Sequence, residues 1–366
     1  MKTVIAAWLT KKLFDLKENN MNFPNKIFSG YQGACHCQGV TVDEKKGYVY
    51  YSFTTKLIKC DLLGNIIGSV DGLIGHLGCI DFCESDGKVY GSLEYKNDII
   101  GREILKNLQM ADTEIQNGFY CVIFDVDKID RMDMNAESDG IMRAVYLGEV
   151  VEDFEAKVHL DGKDLDHKYG CSGIDGLAFG PAWGTDDGEE YLRICYGVYG
   201  NTDREDNDYQ VILTYDFKNW WDSVAKPLNQ YKMHKSGASS LSKCFVKTGS
   251  TNWGVQNLEY DAYSKRWMLC VYRGGKPQYK NYDMFFVSAL ATPELSVHNP
   301  YGEEISVLPL SSEGIYFPYG STGVYSFGNG YYYFSHPGYD KDRGHYSNAV
   351  LYKATNSDTS PFEIVE

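Results

Sequence analysis

The sequence predicts an all-β fold, a five-bladed β-propeller with short helical insertions, and three observations lead to that prediction. Tyrosine (30 residues) and glycine (37 residues) are abundant in the chain of 366 residues, which suits strands and tight turns. A unit of two short strands joined by a polar turn recurs five times. Residues 56–70 add a third strand that reverses direction at Gly64-Asn65. Four antiparallel strands repeated around an axis are typical of a propeller blade.

Each copy of the unit has a short apolar first strand after a glycine-rich approach. These strands begin near Val40, Ile80, Leu177, Leu258 and Val324. The turns that follow them have hairpin chemistry and read DEKKG, ESDG, GTDDG, DAYSK and GNG. We place a single domain over residues 1–366, with blades near 34–74, 75–150, 170–240, 251–310 and 319–366. Six blades is the alternative, because the intervals are uneven.

Other segments are assigned around these blades. A strand near Lys26 to Ser29 completes the last blade in this scheme. Residues 99–118 and 151–169 are interpreted as insertions, with a short helix over Gly101 to Met110. The acidic stretches 161–167 and 201–208 are predicted to be solvated loops, with a calcium site as the alternative.

Composition limits the classes of partner. A formal net charge of −15 disfavours nucleic acid and anionic membranes, since both require a clustered basic face. The apolar run Val4 to Leu9 is shorter than the core of a secretory leader, and the sequence shows no transmembrane segment. The ten cysteines lie at irregular spacing, mostly inside apolar strands, as reduced core cysteines do. These features predict a cytoplasmic protein with a small neutral or cationic ligand.

The propeller prediction places a site at one mouth of the central channel. First strands line the channel, so the residues before them and those ending the second strands should meet there. Aligning the copies gives one column of Gln38, Gly78, Asp175, Gln256 and Thr322, and His36 and His76 lie two residues earlier in adjacent blades. Second strands end near Glu94-Tyr95, Arg273 and His336, and Trp253 lies nearby. Convergent polar groups in an aromatic-lined hollow are typical of small-molecule sites.

The chemistry predicted for this mouth is acid–base attack on a glycosidic bond, or a lyase reaction, on a small sugar-like substrate. Asp175 and Glu94 are the expected carboxyl pair, with His36 and His76 as further catalytic residues. Substrate binding is assigned to Gln38, Gln256, Arg273, His336, Tyr95 and Trp253. Strand alternation is expected to turn Asp81 and Glu259 into the blade faces.

Two alternatives remain open at this point. No cofactor is required by the acid–base scheme, but His36, His76 and His336 would suit a divalent metal by ligand type. The other alternative is a non-catalytic propeller that binds a ligand or another protein.

Two family resemblances accompany this interpretation. The architecture resembles that of five-bladed glycosidases, which draw three acids from successive inner strands; this chain carries His36 and Gln38 where those families show an aspartate. Residues 264–289, SKRWMLCVYRGGKPQYKNYDMFFVSA, are similar to a blade of the calcium-activated apyrases, which are also five-bladed. That resemblance implies a channel calcium held by acids and hydroxyls, whereas the column here offers one carboxylate, Asp175.

Overall fold

A computed structural model describes residues 23–160, 162–296 and 299–366. The interpretation of Val4 to Leu9 lies outside the described residues. The first described strand, β1 (Lys26–Phe28), belongs to the last blade of a five-bladed β-propeller. Among the described residues, every helix is too short or too polar to cross a bilayer.

Blades one and two follow directly in the chain. Blade one contains β2 (Cys37–Asp43), β3 (Tyr48–Phe53), β4 (Lys56–Asp61) and β5 (Ile66–Asp71). Blade two contains β6 (His76–Cys83), β7 (Lys88–Tyr95), β8 (Gly118–Phe124) and β10 (Met142–Tyr146). Between these strands, β9 (Met134–Asn135) returns to pair in parallel with β5 at the outer edge of blade one. Helix α1 (Ile99–Asn107) joins β7 to β8, and α2 (Gly148–Glu155) follows β10.

Blade three is the largest sheet. After a hairpin of β11 (Lys157–Leu160) and β12 (Lys163–Asp166), it is built from β13 (Cys171–Pro181), β14 (Glu190–Val198), β15 (Tyr209–Tyr215) and β16 (Ser242–Lys247). Helix α3 (Trp220–Ser223) connects β15 to β16. Two later strands extend the outer edge, β20 (Glu294–Ser296) and β21 (Ile305–Leu308), so these residues lie on blade three and not on blade four as expected.

Blade four has three strands, β17 (Thr251–Asp261), β18 (Arg266–Arg273) and β19 (Met284–Ser288). Residues 311–315 cover its outer edge, where Ser311 N–H donates to Phe286 O and Ile315 forms a bridge with Met284. Blade five contains β22 (Val324–Ser326), β23 (Tyr331–Asp340), β24 (Gly344–Ala354), β1 and β25 (Phe362–Ile364). β1 pairs antiparallel with β24, so strands from both ends of the described chain close the ring.

The five inner strands form that ring. β2 contacts β6, and the contacts continue to β13, β17, β22 and back to β2. Five buried apolar clusters fill the five interfaces between neighbouring blades. Because each blade buries both faces, the exposed sheet edges are confined to the outer rim.

Polar side chains also tie neighbouring inner strands together. Thr41, Asp81 and Glu259 occupy matching positions of β2, β6 and β17. Each accepts a hydrogen bond from a backbone N–H of the next inner strand, at Phe82 (3.0 Å), Phe179 (3.0 Å) and Ser326 (2.7 Å) respectively. Asp81 and Glu259 therefore link neighbouring blades. The alternation of the strand residues predicts instead that these two side chains turn into the blade faces.

The loop 201–208 also differs from the solvated loop predicted for it. Its second half is buried, and the ammonium of Lys276, whose side chain is 1% exposed, sits among its oxygens. That ammonium donates to Asn207 Oδ1 at 2.7 Å and pairs with Asp208. Lys276 therefore balances the charge of Asp208, and Arg204 balances that of Asp206.

Candidate functional site

The inner strands of four blades are interrupted at one level, near the channel mouth. The pairing of first with second strand shifts between Cys37 and Gly39, between Leu77 and Ile80, between Ile174 and Leu177, and between Val255 and Asn257. A β-bulge re-aims the side chain of its extra residue. Gln38, Asp175 and Gln256 lie in these bulges and all line one cavity. In blade two the bulge holds Gly78, where a Cβ atom would lie 2.8 Å from Asp175 Oδ1.

The cavity has a volume of about 350 Å³ and opens at the mouth of the channel. Blades one to four and helix α1 contribute to its wall. The lining residues are Ala34, His36, Gln38, Thr54, His76, Glu94, Lys96, Ile100, Glu103, Ile104, Asn107, Asp175, Trp253, Gln256 and Tyr272.

A buried ion pair lies at one side of the cavity. Lys96 Nζ is 2.6 Å from Glu94 Oε1 and 3.8 Å from Asp98 Oδ2, and its side chain is 4% exposed. It also donates to the carbonyl of Ser172 at 2.8 Å. The second carboxylate oxygen of Glu94 accepts from the backbone N–H of Ile174 at 3.1 Å. Both oxygens of Glu94 therefore have protein partners.

His76 lies between the two predicted carboxyl groups. Its Nδ1 is 3.6 Å from Glu94 Oε1 and 3.7 Å from Asp175 Oδ1. Nδ1 is enclosed and has no hydrogen-bond partner among the described residues. The other carboxyl oxygen of Asp175, Oδ2, accepts from Gln256 Nε2 at 2.9 Å. Asp175 is therefore held by a neutral amide, whereas Glu94 is held by a cation.

Burial sets the protonation of these groups. It raises the pKa of Asp175 well above its usual range, and the nearby Glu94 carboxylate raises it further. Burial also raises the pKa of Glu94, but the Lys96 ammonium opposes that shift. For Lys96, burial is outweighed by the attraction of Glu94 and Asp98, and its pKa lies above the usual value. Burial and the charge of Lys96 lower the pKa of His76 to about 3. At neutral pH the imidazole of His76 is therefore neutral, while burial shifts the carboxyl of Asp175 towards its protonated form and Lys96 favours the ionised form of Glu94.

An aromatic residue in an unusual conformation borders these groups. Trp253 has a φ of 68°, in the left-handed region that costs a non-glycine residue about 1–3 kcal/mol. Its carbonyl accepts from Gln256 Nε2 at 2.9 Å, and its ring meets that of Tyr199 edge to face at 5.6 Å. The bulge of β17 therefore holds an indole ring beside the carboxyl groups, where it can stack on a ligand.

Helix α1 forms another part of the cavity wall. Asp98 caps it by accepting from Gly101 N–H at 2.9 Å through Oδ1, while Oδ2 accepts from Tyr199 OH at 2.9 Å. A Cβ atom on Gly101 would lie 1.8 Å from the carbonyl oxygen of Lys96. This close approach fixes the helix against the strand end that carries Glu94 and Lys96.

The structure brings His36, Gln38, His76, Glu94, Asp175, Trp253 and Gln256 together around the cavity, as expected from the blade alignment. Three predicted residues lie elsewhere. Tyr95 follows Glu94 on the strand and points to the opposite face, where its OH donates to Gln230 at 2.9 Å. Arg273 is held by two hydrogen bonds to Asp283, at 2.5 and 2.7 Å.

His336 is the third residue outside the cavity. Its ring stacks on Tyr319 at 3.5 Å, and Nε2 lies 2.9 Å from Tyr352 OH, within blade five. The alternative trio of His36, His76 and His336 is therefore not assembled. Across the described ranges, no group of three His, Cys, Asp or Glu side chains is placed to hold a metal ion.

The alignment missed Lys96 and the whole wall formed by α1. Lys96 had a usable signal, because it lies two residues after Glu94 and alternation places both on one face. The helix was expected from its sequence, but its position against the mouth depends on packing that a single insertion does not reveal.

No family model and no curated protein matches the chain. Solved structures with a similar fold include an exo-1,5-α-L-arabinanase from a bovine ruminal metagenomic library (12% identity, 92% of this chain and 99% of that chain, TM-score 0.42). Another is the GH43_1 enzyme from Xanthomonas citri complexed with xylose (11% identity, 93% of this chain and 94% of that chain, TM-score 0.38). A third is the PQQ domain of a pyranose dehydrogenase from Coprinopsis cinerea (11% identity, 85% of this chain and 81% of that chain, TM-score 0.33). Similarity at this level of identity concerns the fold alone. The ring of five blades in the chain itself is that of a five-bladed β-propeller.

Proposed function

We propose that the channel mouth binds a small neutral carbohydrate and cleaves a glycosidic bond by acid–base chemistry. The observation that carries this proposal is the arrangement of Asp175 and His76 in a partly apolar cavity beside Trp253. Burial raises the pKa of Asp175 and keeps His76 neutral, so the carboxyl group can donate a proton while the imidazole accepts one.

The proposed step is hydrolysis. Asp175 protonates the oxygen of the departing sugar as its bond to the anomeric carbon breaks. His76 accepts a proton from the water whose oxygen forms the new bond to that carbon. Glu94 has partners for both oxygens, so its role is to raise the pKa of Asp175.

The surroundings favour an uncharged substrate. Lys96 is already paired with Glu94 and leaves no free cation in the described cavity wall for a uronic carboxylate. Gln38 and Gln256 supply neutral amide groups, and Trp253 offers an apolar face of the kind that packs on sugar rings.

The test pairs binding with turnover. Purified protein would be screened by thermal shift against glucose, galactose, mannose, xylose and their common disaccharides, and by assay for newly released reducing ends. We expect Asp175→Asn and His76→Ala to lower turnover about 100-fold or more while the thermal shift persists. His336→Ala is the matched control, since this histidine lies outside the cavity. Turnover that survives both cavity variants contradicts the assignment.

Binding without catalysis is the second candidate, and one observation favours it. A pKa of about 3 makes His76 a weak base at neutral pH. A saturable thermal shift with no product from any bound disaccharide, even after prolonged incubation, identifies a sugar-binding propeller.

A further inference from the structure

A second hollow, of about 260 Å³, adjoins the first at the same mouth. His36 and Tyr272 line both hollows, so the two hollows adjoin at these side chains. The rest of the second wall comes from the segment that leads into blade five and from the tip of the β23–β24 hairpin. Its residues include Pro318, Ser321, Thr322, Pro337, His345 and Tyr346.

The wall of the second hollow is held in place by the protein itself. His345 exchanges backbone hydrogen bonds with residues 32 and 33, at 2.7 and 2.8 Å. Its ring lies 3.8 Å from that of His36, with a tilt of 36°. The hairpin tip is therefore fixed against blade one, and the hollow requires no ligand to shape it.

The two hollows differ in chemistry. The first holds Glu94, Lys96, Glu103 and Asp175, whereas the described wall of the second contains no Asp, Glu, Lys or Arg. It offers the hydroxyls of Ser321 and Thr322 together with two proline rings and a tyrosine ring. Hydroxyls beside flat apolar faces suit a hydroxylated ring that carries no charge.

Size points to a ligand longer than one ring. Small-molecule sites usually enclose about 300–1,000 Å³. The first hollow lies near the lower end of that range and the second below it, while the two volumes taken together fall well inside it.

We propose that the mouth binds a neutral carbohydrate of at least two linked rings, with one ring in each hollow and the link beneath His36 and Tyr272. This inference rests on the proposed function and extends it to the size of the substrate. Asp175 lines the first hollow, so the bond that it protonates is the one on the ring held there, and the second hollow takes the neighbouring unit across that bond.

The test compares monosaccharides with their disaccharides by calorimetry, using glucose, xylose and galactose against cellobiose, maltose, xylobiose and lactose on the hydrolysis-deficient Asp175→Asn protein. We expect the best disaccharide to bind about tenfold or more tightly than its component monosaccharide. Ser321→Phe, which fills the second hollow, should abolish this difference and leave the monosaccharide affinity within about twofold. His345→Ala gives a second, smaller perturbation if the phenylalanine disturbs folding. Ser85→Phe, on the β6–β7 turn at the other end of the blade, is the matched control.

The outcomes separate the two proposals. Monosaccharide binding with no gain for any disaccharide overturns the second hollow and leaves the proposed function standing. Equal losses of binding affinity for monosaccharide and disaccharide in Ser321→Phe and His345→Ala also overturn the proposal for the second hollow. If no sugar binds the native protein or the Asp175→Asn variant, both proposals fall.

Discussion

At the scale of single residues, the site is defined by how three buried ionisable groups and one neutral imidazole share a small space. Lys96 compensates Glu94, and Glu94 in turn raises the pKa of Asp175. Because buried ions are costly unless paired, this arrangement ties the stability of the mouth to the same residues that give it chemistry. Two predictions test buried charged groups, one at the mouth and one between the inner strands.

The first concerns the buried ion pair. Lys96→Met should lower the free energy of unfolding by about 3–5 kcal/mol, because it leaves the Glu94 carboxylate buried without a cation. Adding Glu94→Gln should restore part of the loss, which a double-mutant cycle by urea unfolding at pH 7 would measure. Lys45→Met is the control, since Lys45 pairs with Glu84 on the surface and should give no measurable change. A double variant no more stable than Lys96→Met would argue against the pairing.

The second prediction concerns Asp81 and Glu259, the buried carboxyl pair that links neighbouring inner strands. Burial raises the pKa of Asp81 to about 7, and burial together with Asp81 raises the pKa of Glu259 well above its usual range. A raised folded-state pKa gives stability that is present below the unfolded-state pKa and lost as the pH rises through the folded-state value. We therefore expect the free energy of unfolding to fall between about pH 4, near the unfolded-state pKa, and about pH 7, the folded-state pKa of Asp81.

Glu259→Gln should weaken that fall by at least about 1 kcal/mol, because the amide carries no charge at either pH. Its oxygen can still accept from Ser326 N–H, so the link between the blades is retained. Urea unfolding at the two pH values measures the difference. Glu363→Gln, an exposed glutamate in β25, serves as the control, and an unchanged pH dependence in Glu259→Gln would exclude the pair as its source.

At the scale of elements, the strands were predictable and their irregularities were not. Alternating apolar residues and hairpin turns located the inner strands, including those that begin near Val40 and Leu258. The bulges shift the phase of that alternation within the inner strands, as they do between Leu77 and Ile80. His336 was assigned to the mouth from its position in the strand register. Its ring stacks on Tyr319 instead of lining the cavity.

Helix α1 gives a prediction at this scale. Replacing a helical glycine by alanine usually stabilises a helix by about 1 kcal/mol. Gly101→Ala should do the reverse, because the new methyl group would meet the carbonyl of Lys96 and push the helix away from the mouth. We expect a lower melting temperature and weaker sugar binding in the same variant.

The matched control is Gly148→Ala in α2, where the nearest atom outside the helix lies 3.4 Å from the new Cβ, at ordinary contact distance. Thermal unfolding and calorimetry on both variants separate a local clash from a general effect of alanine. Retained sugar affinity in Gly101→Ala would show that α1 is not part of the binding wall.

At the scale of the whole molecule, the ring depends on β1. Ile27 is 1% exposed and packs with residues of blades one and five. Its carbonyl accepts from Tyr51 OH at 2.9 Å, so β1 joins the first blade to the last. Because each blade is stabilised by both neighbours, damage at this junction should be felt by blades on the far side of the ring.

The tryptophans allow the effect of this damage on the distant blades to be measured. Trp183, Trp220, Trp221, Trp253 and Trp267 lie within or beside blades three and four, away from the junction. In a Trp8→Phe background, which removes the tryptophan outside the described residues, Ile27→Ala should lower the free energy of unfolding by about 2–5 kcal/mol. Tryptophan fluorescence and far-ultraviolet circular dichroism should report the same midpoint in urea. Ile364→Ala, at an exposed position of β25, should leave both midpoints unchanged. A fluorescence midpoint that stays fixed while the dichroism midpoint falls would mean that the blades unfold separately, because a closed cooperative ring transmits the loss of β1 to every interface.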